Sequence, residues 1–231
     1  MSLRTEGFSF VGRKDELGQL QAALTQRLHV VISGASGIGK SALLYQVNRR
    51  HPLLICSNAS RIGGACEELA HQLGLRFQSY NLATRILELV SRLRQSGKPV
   101  VFDNVEELPS STLDLMESLL DCVPIWIVTR SGPEQGLAKI TRHLFEFAHL
   151  QVSPLKRNEV RALIAQVFVH RTMPSATVER LQGFYRLCNG NLWLLEKLFC
   201  EVSAGESDLE QVFKRSVHAL KMKSSGLTPR K

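Results

Sequence analysis

Leu28-His29-Val30-Val31-Ile32-Ser33 runs straight into Gly34-Ala35-Ser36-Gly37-Ile38-Gly39-Lys40-Ser41. The first six residues are short, apolar and β-branched, the profile of a buried strand. The next eight match G-x-x-x-x-G-K-[ST] in full, and SALLYQVNRR continues with apolar residues at helical spacing. Strand, glycine-rich turn and helix in that order are the context in which such a turn cradles phosphate. Glycines let the backbone aim its N–H groups inward at phosphate oxygens, and the following helix directs its positive dipole end at the same charge. Lys40 is expected to reach the β- and γ-phosphates, and the Ser41 hydroxyl to coordinate Mg²⁺.

A triphosphate site with Mg²⁺ needs a carboxylate as well. Pro99-Val100-Val101-Phe102-Asp103 supplies one at the end of an apolar strand, some sixty residues after the loop. Asp103 is therefore the expected Mg²⁺-shell residue, although a carboxylate ending a buried strand also suits a helix cap. Asn104 follows, where a glutamate would polarise water in a vigorous enzyme, so slow hydrolysis is expected. Glu106 and Glu107 come next. Either is placed to serve as base, and either also reads as a solvated charge at a helix start; Glu106 is the candidate taken.

Outward from these two strands the chain alternates. PLLICSN is a second strand, followed by amphipathic stretches over about 64–73 and 82–94. After PVVFDNV come helical LDLMESLLDC, the strand PIWIVTR, a helix around 135–140 and a fifth strand in HLFEFAHLQV. Such alternation favours a parallel sheet covered by helices. Beyond Ser153-Pro154-Leu155 the pattern changes to three helical stretches, KRNEVRALIAQVFVH, SATVERLQGFYRLC and NLWLLEKLFCEV. The expected organisation is an α/β nucleotide-binding domain over 1–152, a small all-helical lid over 153–206, and a basic helix and tail over 207–231.

The 231 residues suffice for a core of this size, and 44% apolar with 22% charged residues excludes wholesale disorder or a fibrous repeat. Net charge is +8, but residues 214–231 hold six cations and no acid, which leaves 23 basic against 21 acidic residues, or +2, before them. A tail, not a groove, makes the chain basic. It could touch nucleic acid, an acidic partner or an anionic surface, although the commoner meaning of such a tail is a solvated terminus. The five cysteines are odd in number, scattered and without a CxxC pair, so neither a disulfide framework nor a zinc site is indicated. MSLRTEGFSF lacks the apolar core of a signal peptide and no apolar run approaches a membrane span. A cytoplasmic setting without membrane contact is expected.

With these residues in hand, the chain resembles, over about residues 8–200, the AAA+ and STAND group of P-loop ATPases. That group includes the cores of initiator-type proteins and of NB-ARC and NACHT switches. Phe10-Val11-Gly12-Arg13-Lys14-Asp15-Glu16-Leu17 is similar to its FVGRxxEL box, which implies that Phe10 and Val11 lie against adenine; by chemistry alone both also suit a core. Ile125-Trp126-Ile127-Val128-Thr129-Arg130 is similar to the strand ending in a Thr-Arg pair, which implies that Thr129 and Arg130 sense the γ-phosphate. A surface arginine paired with a carboxylate is the other reading of Arg130. Arg142 stands where such subunits present an arginine finger to a neighbour, although Lys139 and Arg142 also read as an exposed basic face. Cys188-Asn189-Gly190-Asn191-Leu192-Trp193 resembles the motif opening a lid helix. Trp193 stands near the place of a sensor arginine and also suits core packing, so Lys197 is the cation available on that side.

The resemblance implies a five-stranded parallel P-loop NTPase sheet with a helical lid, ATP and Mg²⁺ as cofactors, and a switch that turns ATP over slowly. Homo-oligomers and separate protein partners are implied too. A DNA-associated loader or remodeller using the basic tail, and a scaffold that does not hydrolyse ATP, are the alternatives. Phe184 and Tyr185 read as core of a lid helix rather than as base-stacking groups.

Overall fold

A computed structural model describes residues 10–105, 109–130, 147–171, 185, 188–203 and 209–224. The apolar runs form five short strands: β1 (Val30–Ser33), β2 (Leu54–Cys56), β3 (Val100–Phe102), β4 (Ile125–Thr129) and β5 (Ala148–Gln151). Each run that reads as a strand contains one: β2, β3 and β4 are shorter than their runs at both ends, and β1 starts two residues into its run. The described helices are α1 (Lys14–Thr25), α2 (Lys40–Asn48), α3 (Ile62–Gln72), α4 (Leu82–Ser96), α5 (Ser110–Leu120), α6 (Arg157–Arg171), α7 (Leu192–Ser203) and α8 (Leu209–Ser224). The helix expected around 135–140 and most of the one expected over 175–188 lie outside the described residues.

All pairings are parallel, in the order β2-β3-β4-β1-β5. The chain leaves β1 for the far edge at β2, steps back through β3 to β4, and then crosses β1 to reach β5. The neighbours β1 and β4 therefore send their connections in opposite directions. In open parallel sheets the ligand crevice lies outside the carboxyl ends of strands at such a switch point. Register sharpens the placement: Ser33 pairs with Thr129, so Gly34 and Arg130 leave the sheet side by side.

Strands β1 to β4 are almost wholly apolar and buried, as in a parallel sheet covered by helices, whereas the edge strand β5 buries only Leu150. Val31, Val100, Val101, Phe102, Ile125, Trp126 and Ile127 are wholly buried. One core joins Val31, Val100, Phe102, Ile125 and Ile127 to Leu69 of α3, Leu89 and Leu93 of α4, and Leu119 of α5. The indole of Trp126 donates to the Leu28 carbonyl, so its polar atom is satisfied inside the core. At the edge strand β2, Gln72 of α3 acts as a substitute strand: the Ile55 N–H donates to Gln72 Oε1 at 2.9 Å and Gln72 Nε2 donates to the Ile55 carbonyl at 2.7 Å. Glu68 accepts the N–H groups of Ser57 and Asn58 just beyond. Side chains thus occupy backbone groups that an open edge would present to another chain.

The chain divides into two compact units, one of residues 14–34 and 43–152, the other of 1–13, 35–42 and 153–231. The second has a core of its own, in which Val160 and Ile164 of α6, Leu195, Leu198 and Phe199 of α7 and Val212 of α8 are buried. The phosphate loop and the Phe10–Arg13 segment thus group with the C-terminal helices. Among the described residues, no helix is long and apolar enough to cross a membrane.

Candidate functional site

The loop leaves β1 at Gly34 and ends where α2 begins at Lys40. Inside it the Ile38 N–H donates to the Ala35 carbonyl at 3.3 Å, and Lys40 Nζ reaches the same oxygen at 3.1 Å. The ammonium is therefore folded back over the hollow of the loop, at the positive end of the α2 dipole, where an anion is favoured. Buried Leu43, Leu44 and Val47 fasten α2 to its surroundings, so the helix end is held on a rigid element.

Three consecutive loop carbonyls are held from outside. Asn191 Nδ2 donates to Ser36 O at 2.9 Å, the Trp193 N–H to Gly37 O at 3.0 Å, and Arg13 Nη2 to Ile38 O at 3.0 Å. Gly37 has φ +75°, and a Cβ there would lie 2.8 Å from both Asn191 Oδ1 and Trp193 Cβ, so only glycine permits this approach. Asn191 also accepts the Leu194 N–H with its Oδ1 at 3.2 Å, capping α7. Arg13 is almost fully buried, at 5% exposure. Its backbone N–H donates to Glu159 Oε1 at 3.3 Å, while Glu159 Oε2 accepts the Lys156 N–H at 2.6 Å at the start of α6. The Glu159 carboxylate lies directly against Gly12, where a side chain would collide with it. Along α7, the Lys197 ammonium sits 5.7 Å from the centre of the Trp193 ring, within cation–π range.

At the carboxyl edge of the sheet, Asp103 follows β3 and its N–H donates to the Cys56 carbonyl at 2.9 Å, extending the ladder by one residue. Asn104 then turns the chain with φ +60°, a conformation asparagine tolerates better than most residues. Its Oδ1 accepts Arg130 Nη2 at 2.7 Å. Thr129, at the tip of β4, is buried at 3% exposure. Two cysteines border these regions: burial pushes the Cys56 and Cys188 thiols up to about 12.

A family model described as an AAA ATPase domain matches residues 9–128, more than half of the chain. The chain belongs to the AAA ATPase domain family. A relative of this AAA ATPase domain, an uncharacterized protein of Mycobacterium tuberculosis, is 31% identical over 146 residues, covering 59% of this chain and 37% of the relative. The chain thus spans little more than a third of the length of the curated relatives it matches. Among solved structures, a STAND protein with a tetratricopeptide repeat sensor from Pyrococcus horikoshii matches with TM-score 0.59 and 18% identity, over 90% of this chain and 32% of that one. The Aeropyrum pernix ORC1 protein, solved in complex with DNA, matches with TM-score 0.60 and 16% identity, over 92% of this chain and 66% of that one. These likenesses confirm the expected fold: a five-stranded parallel P-loop sheet with flanking helices and a C-terminal helical region.

Within this AAA ATPase domain, Gly34 through Ser41 form one continuous loop and helix start. Asp103, Thr129 and Arg130 stand at the carboxyl ends of β3 and β4. Phe10 is half-buried and Val11 packs on the core of the C-terminal helices. Glu106 and Arg142 lie outside the described residues, as do Glu107, Lys139 and Phe184. Sequence reasoning assigns no role to Arg13, Asn191 or Glu159, although the first two sit inside segments it singles out. The signal for Asn191 was its place before an apolar helix, which reads as a cap; nothing local points its amide at a loop 155 residues away.

Proposed function

We propose that this AAA ATPase domain is an Mg-ATP-dependent conformational or assembly switch that hydrolyses ATP slowly. The observation that carries the reading is the loop itself: an ammonium and a loop N–H converge on one carbonyl, at 3.1 and 3.3 Å, at the start of a helix whose dipole favours an anion. Lys40 and the backbone of Gly34 through Ser41 would hold the β- and γ-phosphates. The Ser41 hydroxyl and the Asp103 carboxylate are hard oxygen donors that suit Mg²⁺, which when bound neutralises charge on the phosphate oxygens. Arg130, held by Asn104, is the proposed γ-phosphate sensor with Thr129. Phe10 and Val11 would face adenine, Glu106 would act as base, and Arg142 would serve a neighbouring subunit as a finger. Asparagine at 104 cannot accept a proton as a carboxylate does, which supports slow turnover.

Calorimetry with ATP tests the reading. Wild type should bind in the presence of Mg²⁺, Lys40→Ala should lose binding at least a hundredfold, and Asp103→Ala should lose the Mg²⁺ dependence of phosphate release. Equal affinity of wild type and Lys40→Ala would discard the site.

A DNA-associated ATPase is the second reading. It is favoured by α8, where Lys214, Arg215 and Lys221 are exposed and no acid follows Glu210. A salt titration of DNA binding decides it: deletion of residues 214–231 should flatten the salt dependence, and indifference to both salt and deletion would remove it.

A further inference from the structure

In a trans peptide the C=O and the N–H of the same unit point in opposite directions. Holding the carbonyls of Ser36, Gly37 and Ile38 therefore orients the N–H groups of Gly37, Ile38 and Gly39 the other way. All three carbonyls are held by donors outside the loop, at 2.9 to 3.0 Å: Asn191 Nδ2, the Trp193 N–H and Arg13 Nη2. The inner direction has its own marker, because the Ile38 N–H and Lys40 Nζ meet at the Ala35 oxygen. Every one of these residues belongs to the same compact unit.

We propose that Arg13 and Asn191 are positioning residues that suspend the phosphate loop by its carbonyls, presetting its N–H groups for a nucleoside triphosphate. The inference rests on the nucleotide-switch reading and deepens it. Glycine-rich backbone is costly to order. A loop ordered before the ligand arrives binds more tightly, because that cost has already been met within the folded chain. The two anchors come from opposite ends of the chain, and each is itself fixed. Asn191 is the cap of α7, and Arg13 is buried with its backbone tied to Glu159. Gly37 is the residue that lets α7 come close enough. Loss of either anchor leaves the loop, Lys40 and the α2 dipole in place but frees peptide planes to rotate.

Two variants separate positioning from charge and from folding. Asn191→Ser keeps a capping acceptor for α7 without adding charge and removes the donor to Ser36. Arg13→Lys keeps the cation and removes the planar guanidinium donor. Each should weaken Mg-ATP binding about tenfold by calorimetry, the scale of one lost hydrogen bond to a preordered loop. Each should also speed hydrogen exchange of a peptide covering 34–42 in nucleotide-free protein, with the melting temperature within about 3 °C of wild type. Should Asn191→Ser melt early, Arg13→Lys decides alone. Wild-type binding matched within twofold by both variants, with exchange unchanged, would overturn the suspension and leave the switch reading standing. No ATP binding by wild type would sink the switch reading itself, and the exchange rates would then report separately whether the anchors order the loop.

Discussion

Asn104 illustrates how one side chain does two things in this chain. Its backbone occupies the left-handed region, at φ +60°, and its amide oxygen accepts Arg130 at 2.7 Å. Replacement by alanine removes the bond and places a less tolerant residue in that conformation, so Asn104→Ala should lose about 1 kcal/mol of stability along with several-fold in phosphate release. Asn104→Gly relieves the backbone and still lacks the bond. Its melting temperature should stay near wild type while its phosphate release falls as far as that of alanine. Recovery of turnover in the glycine variant would show that Arg130 positioning does not depend on residue 104. The sequence shows that residue 104 is not a glutamate. That it faces an arginine 26 positions on is decided by β3 and β4 being neighbours.

At the scale of elements, local chemistry explains where helices begin. Asn81 is the cap of α4, with Oδ1 accepting the N–H of Ala83 at 2.9 Å and of Thr84 at 3.3 Å. Asn81→Ala should cost about 1 kcal/mol, read as a fall of roughly 2–4 °C in Tm for a chain of this length, whereas Asn81→Ser should stay near wild type. An unchanged alanine variant would mean that packing of Leu89 and Leu93 alone sets the helix. The strands show the limits of local reading: all five were legible as strand candidates, yet β2 and β3 are three residues each. Leu53, next to β2, is buried without joining the ladder, its N–H donating to the Asn48 side chain instead. Hydropathy reports burial, while strand ends depend on where the partner's hydrogen bonds stop.

For the molecule as a whole, buried thiols set an alkaline limit. Burial raises Cys56 and Cys188 to about 12 and Cys66 above its ordinary value. The folded chain keeps these protons while the unfolded chain releases them above the ordinary thiol range of about 8.5. Stability should therefore be unaffected by them below that range and fall as pH rises from it toward about 12. A lower urea midpoint at pH 10 than at pH 7.5 checks this, and Cys56→Ala with Cys188→Ala should shrink the difference. An equal alkaline loss in that double variant would place its cause in other groups.

What the amino-acid order determined by itself was whatever depends on neighbours along the chain. The phosphate loop and its following helix, the Asp103 strand end and the change to all-helical pattern after Ser153 are of this kind, because backbone freedom, hydrophobic period and caps act over a few residues. Tertiary structure alone decided the order β2-β3-β4-β1-β5, which puts the ends of β1 and β4 side by side. It alone brought Arg13 and Asn191 to the loop carbonyls, across 25 and 155 residues of chain. Hydrogen bonds of that span carry no periodic trace in a sequence, since they exist only once two separately folded segments have been packed together.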